Sequence, residues 1–271
     1  MPSNAEDRRF LSHADKYAAY LETPEGRLRL DLTFDNLQES LPQPALGLRA
    51  LDIGGGTGAL AMRLARLGIH VTLLDTSRPM LEMARRAAQE AGVTQSIALK
   101  YGDAAHLATL FDTASFDLLL CHNILEYVDD PRTVLRDAAR VVRCPSGSIS
   151  ILVRNRAGEV LKAAIKDGDL LASENNLTAE FGRESLYGGT VRLFSAQSLQ
   201  DMFVHASLRG VAVRGVRVVS DYLPPTISAN DEYDRIFELE RKLGRRPEFT
   251  AVARYTHWLA HPEGSSSRRS A

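Results

Sequence analysis

The chain has 271 residues, of which 44% are apolar and 25% charged, with a formal net charge of −1. This is ordinary globular composition, and it excludes a disordered chain, a collagen or a coiled-coil rod. The near-zero charge argues against a dedicated nucleic-acid binder, which carries a strongly basic face, and no apolar run approaches the ~18 residues of a membrane span.

The polar N-terminus lacks the apolar stretch of a signal peptide. Cys121 and Cys144 form no CxxC or Cys/His cluster, so neither a disulfide scaffold nor a zinc site is expected, and a cytoplasmic setting is. Residues 1–45 are expected to form a helical cap. Residues 46–262 form the main domain, with 155–194 as an insert or lid, and 263–271 (ending GSSSRRSA) a disordered tail.

Residues 10–40 predict one or two helices carrying Tyr17, Tyr20, Leu28, Leu32 and Leu37, stopped by Pro42 and Pro44. From Leu48 a regular alternation begins. Strands are expected at 48–53, 70–75, 96–100, 116–121 and 148–153. Helices are expected over 59–67, after Ser77, and after Asp130-Pro131. Such alternation means a parallel sheet with helices on both faces. Beyond residue 194, Ser195 caps a helix through Ala206, 211–219 alternates as a strand, Asn230 caps a further helix, and 250–259 is a final strand.

A glycine-rich strand-to-helix turn lets backbone approach a ligand that side chains would block. The helix behind it points free N–H groups at that ligand. LDIGGGTGA contains Gly54-x-Gly56-x-x-Ala59. This also meets the loose dinucleotide pattern, so an NAD-dependent oxidoreductase is one expectation. Asp52 would sit awkwardly beneath a pyrophosphate but suits a cofactor bearing an ammonium group, as S-adenosylmethionine does; it could also cap the amides of the turn. Asp75 ends the second strand about twenty residues on, where a carboxylate holds a ribose diol. Asp103, in YGDAAHL, can read an adenine edge or simply form a turn. His122 sits at the carboxyl end of the fourth strand, where ligands bind in open α/β sheets; the alternative is a core histidine satisfied by backbone.

LDIGGGTG, LLDTS, GDAAHL and LCHNILEYVDDPRTVL together resemble the successive motifs of class I S-adenosylmethionine-dependent methyltransferases. The resemblance implies an α/β, doubly wound, seven-stranded and mostly parallel Rossmann-like sheet whose last strand is antiparallel. It implies S-adenosyl-L-methionine over Gly54–Gly58, including Gly56, with the ribose on Asp75 beside Thr76 and the adenine near Asp103 and Ala104. Over most of its length the chain is similar to the bacterial tRNA 5-carboxymethoxyuridine methyltransferases, through EGRLRLDLTFDNL, HNILEYVDDP, RNRAG, GVRVVSDYL, ELERKL and RPEFTAVARYTHW. By motif position, Arg29, Gly54, Gly55, Asp75 and His122 correspond to that family's cofactor contacts. The implied partner is tRNA and the implied reaction esterifies a carboxylate on a wobble uridine. The family's lysine-rich segment before the penultimate helix is replaced here by AEFGRESLYGGTVRLFS. Phosphate affinity comes largely from such charges, so a small-molecule carboxyl or hydroxyl O-methyltransferase stands as the alternative.

On the acceptor side, period-two alternation places Val211, Val213, Gly215, Arg217 and Val219 on one face. An arginine there must be paired, either with Asp221 or with a substrate carboxylate in a bidentate fork. Arg217, and Tyr222 next to Asp221, are therefore the candidate acceptor-side residues. Tyr187 and Arg192 are candidates for the entrance, and Tyr255, His257 and Trp258 are expected in the core. A carboxylate acceptor, with an ordinary pKa near 4, needs no general base; a hydroxyl would, and His122 is then the first candidate.

Overall fold

The computed structural model describes residues 14–184, 186, 188–224, 226–227 and 231–264. Five apolar runs become parallel strands: β1 (Arg49–Ile53), β2 (His70–Asp75), β3 (Ile97–Tyr101), β4 (Leu118–His122) and β5 (Ser148–Arg154). The insert supplies a separate hairpin of β6 (Phe181–Arg183) and β7 (Thr190–Arg192). β8 (Leu208–Val216) and β9 (Tyr255–Pro262) complete the main sheet, whose order is β3-β2-β1-β4-β5-β9-β8. β9 runs antiparallel to both its neighbours, as the resemblance implies. Chain direction across the sheet reverses between β1 and β4, the switch point at which open α/β sheets bind ligands.

The inner strands are buried on both faces, which is why they read as nearly continuous apolar runs. Leu51, Ile53, Leu119, Cys121, Ile149 and Ile151 pack on one side. Ala50, Val71, Leu73, Leu118 and Leu120 pack on the other. Ahead of the sheet, α1 (Ala14–Glu22) and α2 (Pro24–Gln38) meet at a turn where Thr23 Oγ1 accepts from Gly26 N at 3.1 Å. A Cβ on Gly26 would lie 2.0 Å from Tyr20 O, so glycine is what lets α1 fold back and bring Tyr17 and Tyr20 over the sheet. The helices flanking the parallel strands are α3 (Ala59–Arg66), α4 (Arg78–Glu90) and α5 (Pro131–Val141). Ser77 caps α4 and Asp130 caps α5, as their sequences predict.

The second half departs from its sequence pattern in four places. The insert is α6 (Arg156–Leu161), a π-helical turn at Lys162–Lys166, α7 (Leu170–Asn176) and the β6–β7 hairpin, rather than helix and loop alone. The helix capped by Ser195, α8 (Ala196–Ala206), has the expected bounds, but β8 ends at Val216, and Arg217 leaves it at φ +61°. The next helix, α9 (Tyr233–Leu243), has Glu232 rather than Asn230 at its N-cap position; Asn230 lies outside the described residues. The final strand starts at Tyr255, because Pro247 opens a short helical turn, Pro247–Thr250, where a strand start was expected. The tail from residue 265 lies outside the described residues.

Candidate active site

A cavity of about 1050 Å³ opens at the carboxyl ends of the parallel strands, under α1 and the insert. Its first half is built by the glycine turn. Gly54 and Gly56 have φ of +65° and +56°, a conformation that side chains resist. Gly54 N donates to Leu74 O at 2.8 Å. Gly56 N donates to Asp75 Oδ2 at 2.9 Å and Ser77 N to Asp75 Oδ1 at 2.8 Å. Both Asp75 oxygens are thus aimed by backbone, and each keeps a further lone pair. Gly55 is glycine for packing: a Cβ there would meet Leu73 Cγ at 2.6 Å and Asp52 Oδ2 at 2.8 Å.

Asp52 lies beneath this turn, 4% exposed. It borders a smaller recess, shared with Gly54, Gly55, Arg29 and His122, rather than the main cavity. Burial, and then the charge of Asp75, push its carboxyl up to about 7. Thr76, Asp103 and Ala104 line the main cavity. Asp103 also forms the turn considered as its alternative role, accepting from Ala105 N at 2.8 Å.

The second half is a ring of arginines. Arg29 is 9% exposed. It donates to Asn123 Oδ1 at 2.9 Å and Tyr17 Oη at 3.2 Å, and lies over the rings of Tyr20 and Tyr255 at 5.0 and 5.7 Å. Asn123 takes the left-handed conformation, φ +51°, which asparagine tolerates, and passes the network to Glu126 Oε1 at 2.9 Å. Arg154 and Arg254 share Glu159, at 3.1 and 2.6 Å, and Arg154 also faces Glu184 at 3.8 Å. Arg217 pairs with Asp221, donates to Tyr20 Oη at 3.1 Å and lines the cavity. Asp221 is further held by Lys166 at 3.6 Å and Arg254 at 3.9 Å.

Tyr255 stands in the middle of this ring. Burial pushes its hydroxyl up, but the guanidinium groups of Arg154, Arg29, Arg217 and Arg254 outweigh burial and bring it down to about 8. A titration of phenolate absorbance is expected to show one tyrosine ionising near pH 8, absent from Tyr255→Phe. An unchanged curve in that variant would refute the assignment.

The structure corrects two sequence expectations here. Arg217 reaches the cavity from a left-handed turn past the end of β8, because the period-two pattern stops at Val216. Tyr222 is not on the cavity wall; its hydroxyl points at Gly158 O, 3.5 Å away. Tyr255 is buried in the core, as expected, and also lines the cavity. Arg192 is not on the wall but donates to Asp129 O at 3.4 Å, beside it, and Tyr187 lies outside the described residues. His122 lines the cavity, and burial, His257 and Arg29 hold its imidazole well below the ordinary histidine range. Sequence reasoning missed Arg154 and Arg254. The available signal was Arg154 itself, a charge closing an apolar strand at the same end as Asp75 and His122.

Residues 51–151 match the family described as Methyltransferase domain. Over 97% of its length the chain is 29% identical to the tRNA 5-carboxymethoxyuridine methyltransferase of Escherichia coli (strain K12), covering 99% of that protein. The ubiquinone biosynthesis O-methyltransferase of Maricaulis maris is 36% identical over 50% of this chain and 52% of its own. Among solved structures, a methyltransferase of Thermotoga maritima superposes with a TM-score of 0.62 at 16% identity, covering 94% of this chain and 99% of that one. With the seven-stranded sheet, the glycine turn and the strand-end acid in place, these likenesses make the chain an S-adenosylmethionine-dependent methyltransferase of the class I fold.

Proposed function

We propose that the protein methylates a carboxylate oxygen, with 5-carboxymethoxyuridine of tRNA as the acceptor. The observation that carries this is the arginine ring. Arg29, Arg154, Arg217 and Arg254 line this half of the cavity around Tyr255, with Lys166 beside them; Glu159 and Glu184 face Arg154, Glu159 also faces Arg254, and Asp221 faces Arg217. An acceptor carboxylate would be drawn to this cluster of guanidinium groups, and arginine offers it a planar bidentate fork. The full-length similarity to a tRNA 5-carboxymethoxyuridine methyltransferase supports the choice of acceptor. The half-length similarity to ubiquinone O-methyltransferases bears on the cofactor half.

The cofactor half suits S-adenosylmethionine. The cavity at the glycine turn admits a ligand against backbone that carries no side chain. Asp75 would accept from the ribose hydroxyls, Asp103 and Ala104 would border the adenine, and the carboxylates below the turn favour a cationic ligand over a pyrophosphate. When bound, S-adenosylmethionine supplies a methyl group whose transfer breaks a C–S bond and forms the ester C–O bond, leaving a neutral thioether and moving no proton. The chain's own task is positioning: Arg217 and its neighbours hold the acceptor oxygen facing the methyl-bearing end of the cavity.

Asp52 gives this half a pH dependence. An acid whose folded pKa is raised to about 7 destabilises the fold as pH climbs from its unfolded value near 4 toward 7. A cofactor ammonium favours the ionised form. Cofactor affinity is therefore expected to rise from about pH 6 to about pH 7.5 and to fall again as the cofactor's own ammonium, with a pKa of about 8, loses its proton. Asp52→Asn should flatten the rise, and calorimetric titrations at several pH values will check this.

A second reading, a hydroxyl acceptor, is favoured by Tyr255 alone, whose lowered pKa would suit a base. The two separate in the pH dependence of turnover at saturating cofactor. A carboxylate acceptor is fully ionised above about pH 6, so the rate should be flat from about pH 6 to about 7.5. A hydroxyl relying on Tyr255 would give a rate climbing roughly tenfold per pH unit in that window, which would overturn the carboxylate proposal.

A further inference from the structure

Two histidines on non-adjacent strands are joined through a serine on the strand between them. His122 ends β4, Ser150 lies in β5 and His257 in β9. Ser150 Oγ is 2.8 Å from His122 Nε2 and 2.7 Å from His257 Nε2. The two rings stand edge-on with centroids 5.3 Å apart. Ser150 is 0% and His257 1% exposed. Burial holds both imidazoles neutral at pH 7.

A serine hydroxyl has one proton, so it can donate to only one of the two ring nitrogens and must accept from the other. Two arrangements satisfy this. If the proton runs from Ser150 to His257, then His257 carries its own proton on Nδ1. That atom is buried and has no hydrogen-bond partner among the described residues, and orphaned buried N–H groups are the rarer defect. If it runs from Ser150 to His122, the atom left alone in the interior is only a lone pair on His257 Nδ1. The second arrangement puts the proton of His122 on Nδ1. Among the described residues His122 Nδ1 has no hydrogen-bond partner, and unlike His257 Nδ1 it is not sealed off by them; the ring lines the cavity.

We infer that Ser150 and His257 are positioning residues that lock His122 in the Nδ1–H tautomer, so that it presents a hydrogen-bond donor to the cofactor. The tautomer of a histidine is set by the bond its other nitrogen makes, and here that bond comes from Ser150 on the adjacent strand, whose hydroxyl is oriented by His257 two strands away. The inference rests on the methyltransferase assignment for the identity of the ligand, but not on which acceptor is used.

The test is NMR of the full chain with ¹⁵N-labelled histidine, assigned with His122→Asn and His257→Asn. Two-bond ¹H–¹⁵N correlations should show His122 protonated on Nδ1 and His257 on Nε2. Ser150→Ala should shift His122 toward the other tautomer and weaken cofactor binding about three- to tenfold, the worth of one neutral hydrogen bond. Ser150→Thr, which keeps the hydroxyl, should restore both. A wild-type His122 protonated on Nε2, or a Ser150→Ala variant with tautomer and cofactor affinity unchanged, would overturn the inference. Because the tautomer is read without turnover, failure of the proposed acceptor would leave this result standing.

Discussion

Replacing Asp75 by alanine is expected to weaken cofactor binding about 100-fold. The carboxylate is held at the end of β2 by Gly56 N and Ser77 N. Its remaining lone pairs would each accept a ribose hydroxyl in a charge-assisted bond worth about 1.5–3 kcal/mol. Losing the pair costs about 3 kcal/mol, roughly two powers of ten in affinity. Burial raises the Asp75 pKa and the amides of Ser77, Gly56 and Thr76 oppose that rise, so the same contacts that aim the group also favour its charged form. Asp75→Asn retains one acceptor oxygen and should lose about tenfold. Titration calorimetry with S-adenosylmethionine or its demethylated product reads both numbers. An Asp75→Ala protein within threefold of the parent would remove the ribose assignment.

Arg217→Ala is expected to lower kcat/KM for a carboxylate acceptor about 100-fold while the cofactor Kd moves less than about threefold. Breaking a buried ion pair ordinarily endangers the fold, at about 3–5 kcal/mol. Asp221 is unusual in keeping Lys166 and Arg254 within 4 Å after Arg217 is gone, so the variant should fold with a smaller loss, about 2 kcal/mol. Arg217→Lys keeps the charge but not the fork, and should recover stability better than turnover. Steady-state kinetics and thermal melts separate the two effects. Unchanged turnover with lowered stability would mean that Arg217 serves Asp221 alone.

The sequence was most legible where structure is local. β2 and α8 run over the residues their patterns predict, and the other parallel strands lie within two residues of expectation, because caps such as Ser77, Asp130 and Ser195 fix the helix starts between them. The cofactor half belongs to this class. Gly54, Gly56, Asp75 and Asp103 sit at successive strand ends, and one alternation of strands and helices places them all. The acceptor half does not. Arg29, Arg154, Arg217, Arg254 and Tyr255 come from α2, the end of β5, a left-handed turn, and the start of β9, and no local spacing links them. Arg217 shows why. Extending a period of two past Val216 gave it a face on a strand it does not belong to, and its φ of +61° is what actually turns it inward. Tyr222 shows the complementary reason: adjacency to Asp221 carries no information about where its ring points in the one-turn helix Ser220–Tyr222.

An arginine ring that receives a carboxylate on tRNA would leave a methyl ester there. The most direct measurement is transfer of a labelled methyl group from S-adenosylmethionine to tRNA from a strain lacking this protein, run beside a small-metabolite extract. Label is expected in tRNA, confined to one modified uridine and released by mild base as an ester must be. Label only in the extract, or label in tRNA that survives mild base, would contradict the proposed acceptor.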